Sequence, residues 1–257
     1  MRLTSSGPVA VFLLVLALPL PVGAQADSFD VPLKRKVVLF EVSPYYPGGN
    51  VRIKLSCFSY ATFMVKQYDE GQKGAEWLAI VPTERGAALP CTRSHAVGEK
   101  VIKYPEWVGY FKGAKGNLVF FDAADATDGG MPFVVYDSKT GKQVFKDSYY
   151  ESSMRNAKVE ESPFNRIRIS NSPDGQISLT YLRVTATDCD LHGAKASCWG
   201  RVRNKLRVMS TQAPVCIGYK DVTTRWSSSL AYPIEVLLFP QPSAKNVDGP
   251  VKCWPVD

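Results

Sequence analysis

The chain has 257 residues, 45% of them hydrophobic, and a formal charge of +7. That apolar fraction excludes a disordered chain, and the length allows one substantial core or two small ones. A positive balance favours anionic partners such as nucleic acid, lipid phosphates or acidic glycans, although a charge of this size also serves plain solubility.

The first 26 residues predict an export signal. Arg2 supplies a positive start, Val11 to Leu18 is an unbroken apolar run too short to span a bilayer comfortably, and Pro19 and Pro21 break it. Ala24-Gln25-Ala26 then offers a small-x-small cleavage site, with the cut expected after Ala26 and Ala24 as the alternative. Residues 27–257 remain as a single β-rich domain of 231 residues and charge +6, because the removed segment holds one basic residue and no acid. No cysteine sits just after the cut to accept a lipid. A membrane-spanning helix needs about 20 mostly apolar residues; the longest later run, Ile234 to Phe239, is interrupted by Glu235. The expected location is the periplasm or the outside of the cell.

Strand signals follow in chain order. Val37 to Phe40 is a short β-rich run after the basic Lys34-Arg35-Lys36. Val51, Ile53, Leu55 and Cys57 alternate with Arg52, Lys54 and Ser56, which is the period of a half-buried strand. Tyr60 to Tyr68 and Glu76 to Val81 are further runs, the second stopped by Pro82. Tyr104 to Phe111 is the densest aromatic cluster and reads mainly as core. Asn117 to Phe121, Phe133 to Tyr136 and Gln143 to Tyr150 read as successive strands, the last two joined by a turn over Asp137 to Lys142.

Glu151 to Ser162 is polar, a short helix or a linker, and 151–162 is the place where two halves of the domain would meet. Beyond it, Phe164 to Ser170 alternates Arg166 and Arg168 against Ile167 and Ile169. Ser172 to Gly175 is a turn, Gln176 to Ala186 a long strand, and Trp199 to Val208 and Ile234 to Phe239 complete the set. The tail from Pro240 is rich in turn formers, and Cys253 is expected to tie it down. No fixed repeat period is present. The expected fold is all-β and mostly antiparallel, a sandwich of two sheets or a partial propeller-like arrangement.

All six cysteines lie after the cut, and an even count in an exported chain predicts disulfides. Cys189 and Cys198 flank an eight-residue loop and are expected to bridge, closing a hairpin. No C-x-x-C spacing occurs, which argues against a zinc site.

Three constellations carry possible chemistry. Read as a strand, Arg201-Val202-Arg203-Asn204-Lys205-Leu206-Arg207-Val208 projects Arg201, Arg203, Lys205 and Arg207 from one face. With Arg166 and Arg168 they form the expected anion-binding surface, weighed against a solvated face or a guarded sheet edge. Asp122, Asp125 and Asp128 lie in a Gly-terminated loop that offers carboxylates to calcium, without the EF-hand spacing; the same residues serve ordinary turns. His192, beside Asp188 and Asp190, and His95, near Ser94, are the two histidines and read as exposed loop residues. There is no G-x-S-x-G, H-E-x-x-H or glycine-rich phosphate loop, so no cofactor is expected.

The expected function is that of an exported, non-enzymatic binding or accessory protein. Its basic face would engage an anionic glycan, a lipid head group or another polyanion. A secreted glycan-acting hydrolase with carboxylates not identifiable from sequence, and a protein–protein interaction module, are the alternatives.

Overall fold

The computed structural model describes residues 28–84, 89–151, 166–171, 175–191, 196–218, 227–239 and 241–256. They form two antiparallel sheets, with no closed barrel among them.

The small sheet is a five-stranded meander in the order β1 (Lys34–Val42), β2 (Arg52–Ser59), β3 (Phe63–Asp69), β4 (Trp77–Pro82) and β5 (Lys100–Ile102). Ile53, Leu55 and Cys57 of β2 face one way and are buried, as the period of two requires. That outer face is capped by the segment 89–99, held by a Cys57–Cys91 disulfide. The inner face, with Phe63, Val65, Leu78, Ile80 and Ile102, packs against the second sheet.

The large sheet starts with the meander β6 (Gly109–Lys115), β7 (Leu118–Ala123), β8 (Gly130–Asp137) and β9 (Gln143–Tyr150). It continues through β11 (Ile177–Ala186) and β12 (Ser228–Leu237) to β13 (Ser243–Asn246). Two short strands lie off this path: β10 (Arg168–Asn171) pairs with β11, and β14 (Lys252–Pro255) with β12. The β8–β9 hairpin turns where expected, with Asp137 Oδ1 accepting from the Lys139 amide at 2.7 Å and Gly141 in the left-handed region at φ 64°. Strands on either side of 151–162 share this sheet, since Arg183 of β11 pairs with Tyr149 of β9. Residues 152–165 lie outside the described residues, as does the Ser172 to Asp174 part of the expected turn.

Both faces of the large sheet are covered. Val119, Phe121, Val134 and Tyr136 meet the small sheet. On the opposite face, Phe120, Phe133, Tyr149, Leu179 and Tyr181 form the largest core with Trp199 and Val202. Those last two residues correct the sequence reading: Ala196–Leu206 is a helix, α1, not a strand. Trp199, Val202 and Leu206 recur at three and four residues, which is the apolar stripe of a helix. A strand would place Trp199 with the arginines and Asn204 with Val202 and Leu206, and the helix reverses both.

The cysteines form three disulfides, Cys57–Cys91, Cys189–Cys198 and Cys216–Cys253. The expected Cys189–Cys198 pairing is present, but it closes no hairpin; it ties the end of the β11 connection to α1. Cys216–Cys253 holds β14, and so the tail, to the chain before β12. No helix among the described residues is long and apolar enough to cross a membrane, which with the disulfides is consistent with export.

Candidate functional site: a groove on the large sheet

Where the small sheet ends, the same face of the large sheet is left open as a groove of about 640 Å³. Its floor is built by strand alternation. Pro132 of β8 sits directly opposite Ser148 of β9, and Val184 and Ala186 of β11 continue the surface. Trp107 and Val108, with Ala123 to Asp125, Thr127 and Asp128 beside them, complete the lining.

The rim is fixed by backbone hydrogen bonds. The Ala124 amide donates to Val108 O at 3.1 Å, and the Trp107 indole donates to Asp122 O at 3.3 Å. Thr127 and Gly130 exchange two bonds, at 2.8 and 2.9 Å. Trp254 of β14 donates its indole N–H to Asp128 O at 2.9 Å, so the disulfide-tied tail also braces the loop. Asp128 adopts a left-handed φ of 51°, a conformation that Asp tolerates better than most residues.

Two polar groups stand out on the apolar floor. Lys146 of β9 lies 5.4 Å from the Trp107 ring centroid and has no carboxylate partner among the described residues. The Ser148 hydroxyl is enclosed and has no hydrogen-bond partner among the described residues. Gly130 gives it room: a Cβ there would clash with Ser148 Oγ and lie 2.6 Å from Val184 Cβ. A buried hydroxyl without a partner costs about 1–3 kcal/mol. The groove acids differ in freedom, since Asp125 is ion-paired to Lys73.

The opposite face of the same strands holds a buried polar network. Asp122 Oδ2 accepts from Lys112 Nζ at 2.5 Å and from the Tyr149 hydroxyl at 3.2 Å, and Tyr149 also reaches Glu151 at 3.2 Å. Burial outweighs the Lys112 charge and holds the Asp122 carboxyl above its usual range. Burial first, and then Asp122 and Glu151, push the Tyr149 hydroxyl far up. Beside them, Asp147 accepts from Tyr181 at 2.5 Å and from Arg183 Nε at 2.7 Å, which locks β9 to β11.

These positions settle how the sequence-predicted residues are disposed. On a helix each residue turns about 100°, so Arg201 and Lys205 share a side while Arg203 is rotated about 200° from Arg201. Arg203 is half-buried, and Arg207 ends the helix in the left-handed region at φ 55°. The four cations therefore do not line one face. Arg166 and Arg168 do alternate with buried Ile167 and Ile169, as the sequence implied. Asp122, Asp125 and Asp128 do not converge: Asp122 turns to Lys112 and Asp125 to Lys73, and no cluster of metal-ligating groups occurs among the described residues. His95 contacts Glu99 at 3.1 Å, and His192 lies outside the described residues.

Compared with protein-family models, curated proteins and solved structures, the chain matches none. Apart from Asp125 and Asp128, read as calcium candidates, the groove residues were not singled out from sequence as a site, because the lining comes from five separate segments and shares no motif. The one local signal was the alternation of Lys146 and Ser148 with Asp147 and Tyr149 along β9.

Proposed function

We propose that the protein is an exported, non-catalytic binding protein whose groove holds an acidic saccharide unit. The observation that carries this reading is Lys146, a cation without a carboxylate partner among the described residues, standing on an apolar floor beside Trp107. The groove volume falls in the range of small-ligand sites, which combine apolar lining with a few placed polar groups. An apolar floor suits the apolar face of a sugar ring, and the Lys146 ammonium suits its carboxylate or sulfate.

A glycan hydrolase has one observation in its favour, the shared contact of Asp122 and Glu151 with Tyr149. A carboxylate pair at short separation is what a retaining glycosidase uses. The pair belongs to the network on the other face of the sheet, however, so it does not share a site with the groove.

Calorimetric titration with uronic-acid and sulfated oligosaccharides tests the binding reading. Lys146→Ala should weaken binding about tenfold, the loss of roughly one charge-assisted hydrogen bond, and neutral oligosaccharides should bind more weakly than acidic ones. Acidic ligands that bind the Lys146→Ala variant as well as the parent would overturn it.

A further inference from the structure

The small sheet carries a second site for an anion. We infer that Lys34, Lys36 and Ser59 form a binding site for a phosphoryl group, separate from the groove.

The site follows from register. Lys34 and Lys36 are two residues apart on edge strand β1, so both side chains leave the same face, roughly 6–7 Å apart along the strand. Lys34 lies directly opposite Ser59 of β2, and Lys36 opposite Cys57. All four residues line one pocket of about 280 Å³. Met64, Leu89, Pro90 and the Cys57–Cys91 disulfide complete its lining, so the ammonium groups stand over an apolar base.

Charge accounting in this sheet singles out these two lysines. Every other lysine carried by its strands is ion-paired: Lys54 with Asp69 at 3.0 Å, Lys66 with Glu99 at 3.1 Å and Lys100 with Glu106 at 2.8 Å. Lys34 and Lys36 have no carboxylate partner among the described residues, although they share a pocket with each other. Two like charges placed side by side repel, and a multivalent anion between them removes that repulsion. Two ammonium groups and a hydroxyl at one pocket also supply several donors. That arrangement suits a tetrahedral oxyanion better than a planar carboxylate.

A phosphoryl group can reach the site as a free phosphate or on a lipid head group. Two probes separate these sources: inorganic phosphate followed by calorimetry, and vesicles of phosphatidylcholine with or without phosphatidic acid followed by co-sedimentation. Inorganic phosphate is expected to bind with a millimolar Kd, about 4 kcal/mol at most. The Lys34→Ala/Lys36→Ala variant should lose at least about tenfold of that affinity. A Lys139→Ala/Lys142→Ala variant, which removes the same charge from the β8–β9 turn, should retain it. Additional capture on phosphatidic acid vesicles, lost in the same double variant, would assign the phosphoryl group to a head group; phosphate binding without capture would assign it to a soluble ligand. Failure of both probes to bind the parent protein overturns the inference, as does equal binding by the parent and the Lys34→Ala/Lys36→Ala variant.

Discussion

Lys66 and Glu99 are the residues on which the cap of the small sheet turns. Their side chains are 2% and 1% exposed, and Lys66 also donates to Ser94 O at 2.9 Å. Burial pushes the Glu99 carboxyl up, but the Ala96 amide, His95 and Lys66 together outweigh it and leave it below its ordinary range. A depressed carboxyl contributes stability that is present above its unfolded value and is lost as pH falls through its folded value. Glu99→Gln removes the anion beside a buried ammonium, so it should cost about 3 kcal/mol at pH 7. Urea unfolding checks this, and the gap between parent and variant should narrow as the pH falls through the lowered folded value of the parent carboxyl. An unchanged midpoint at pH 7 would contradict it. From sequence His95 read as an exposed loop histidine. Its side chain is 56% exposed, but its pairing with Glu99 four residues on could not be told from an ordinary loop spacing.

The elements show where periodicity suffices and where it does not. The alternation in β2 was legible because it puts apolar side chains on one face of a pleat, and the runs of β7 and β8 because strands covered on both faces are apolar throughout. β5 has three residues, and β6 carries glycines at Gly109 and Gly113, so neither has a clear apolar period. α1 was misread because Val202 and Leu206 are four apart, which satisfies a period of two as well as one of 3.6. Its C-terminus offers a direct check. The Val208 amide donates to Arg203 O at 3.0 Å and the Arg207 amide to Asn204 O at 3.3 Å, a Schellman ending with Arg207 at the left-handed position usually held by glycine. Asn246 of β13 donates to Leu206 O at 2.7 Å and satisfies another terminal carbonyl. Arg207→Gly should therefore stabilise the protein by about 0.5–1 kcal/mol. Thermal unfolding reads the gain, and a lower Tm would contradict the assigned ending.

For the whole molecule, the sequence indicated the class and the export-compatible chemistry, while tertiary structure alone created the sites. Two sheets share one core, and the bridges hold what flanks them: the cap, the helix and the tail. Cys57–Cys91 and Cys216–Cys253 are 34 and 37 residues apart, and loops of that length give each bridge about 3–4 kcal/mol in the chain-entropy estimate. That is comparable with the net stability of an entire domain, about 5–15 kcal/mol. Reduction should therefore abolish the cooperative transition or move it far down in temperature; a transition unmoved by reductant would mean that the sheets stand without the bridges.

The groove is also a property of the whole molecule, since it exists only where the small sheet stops short of β9 and β11. The most direct test of its role is a map of backbone and indole shifts in a ¹⁵N-labelled sample titrated with an acidic oligosaccharide. The expected perturbations fall on the Trp107 indole, the Ala123 to Asp128 segment, Lys146 to Ser148 and Val184, and they disappear in Lys146→Ala. Perturbations confined to Arg201 and Lys205 on α1, with the Trp107 indole unmoved, would contradict the groove and return binding to the basic helix.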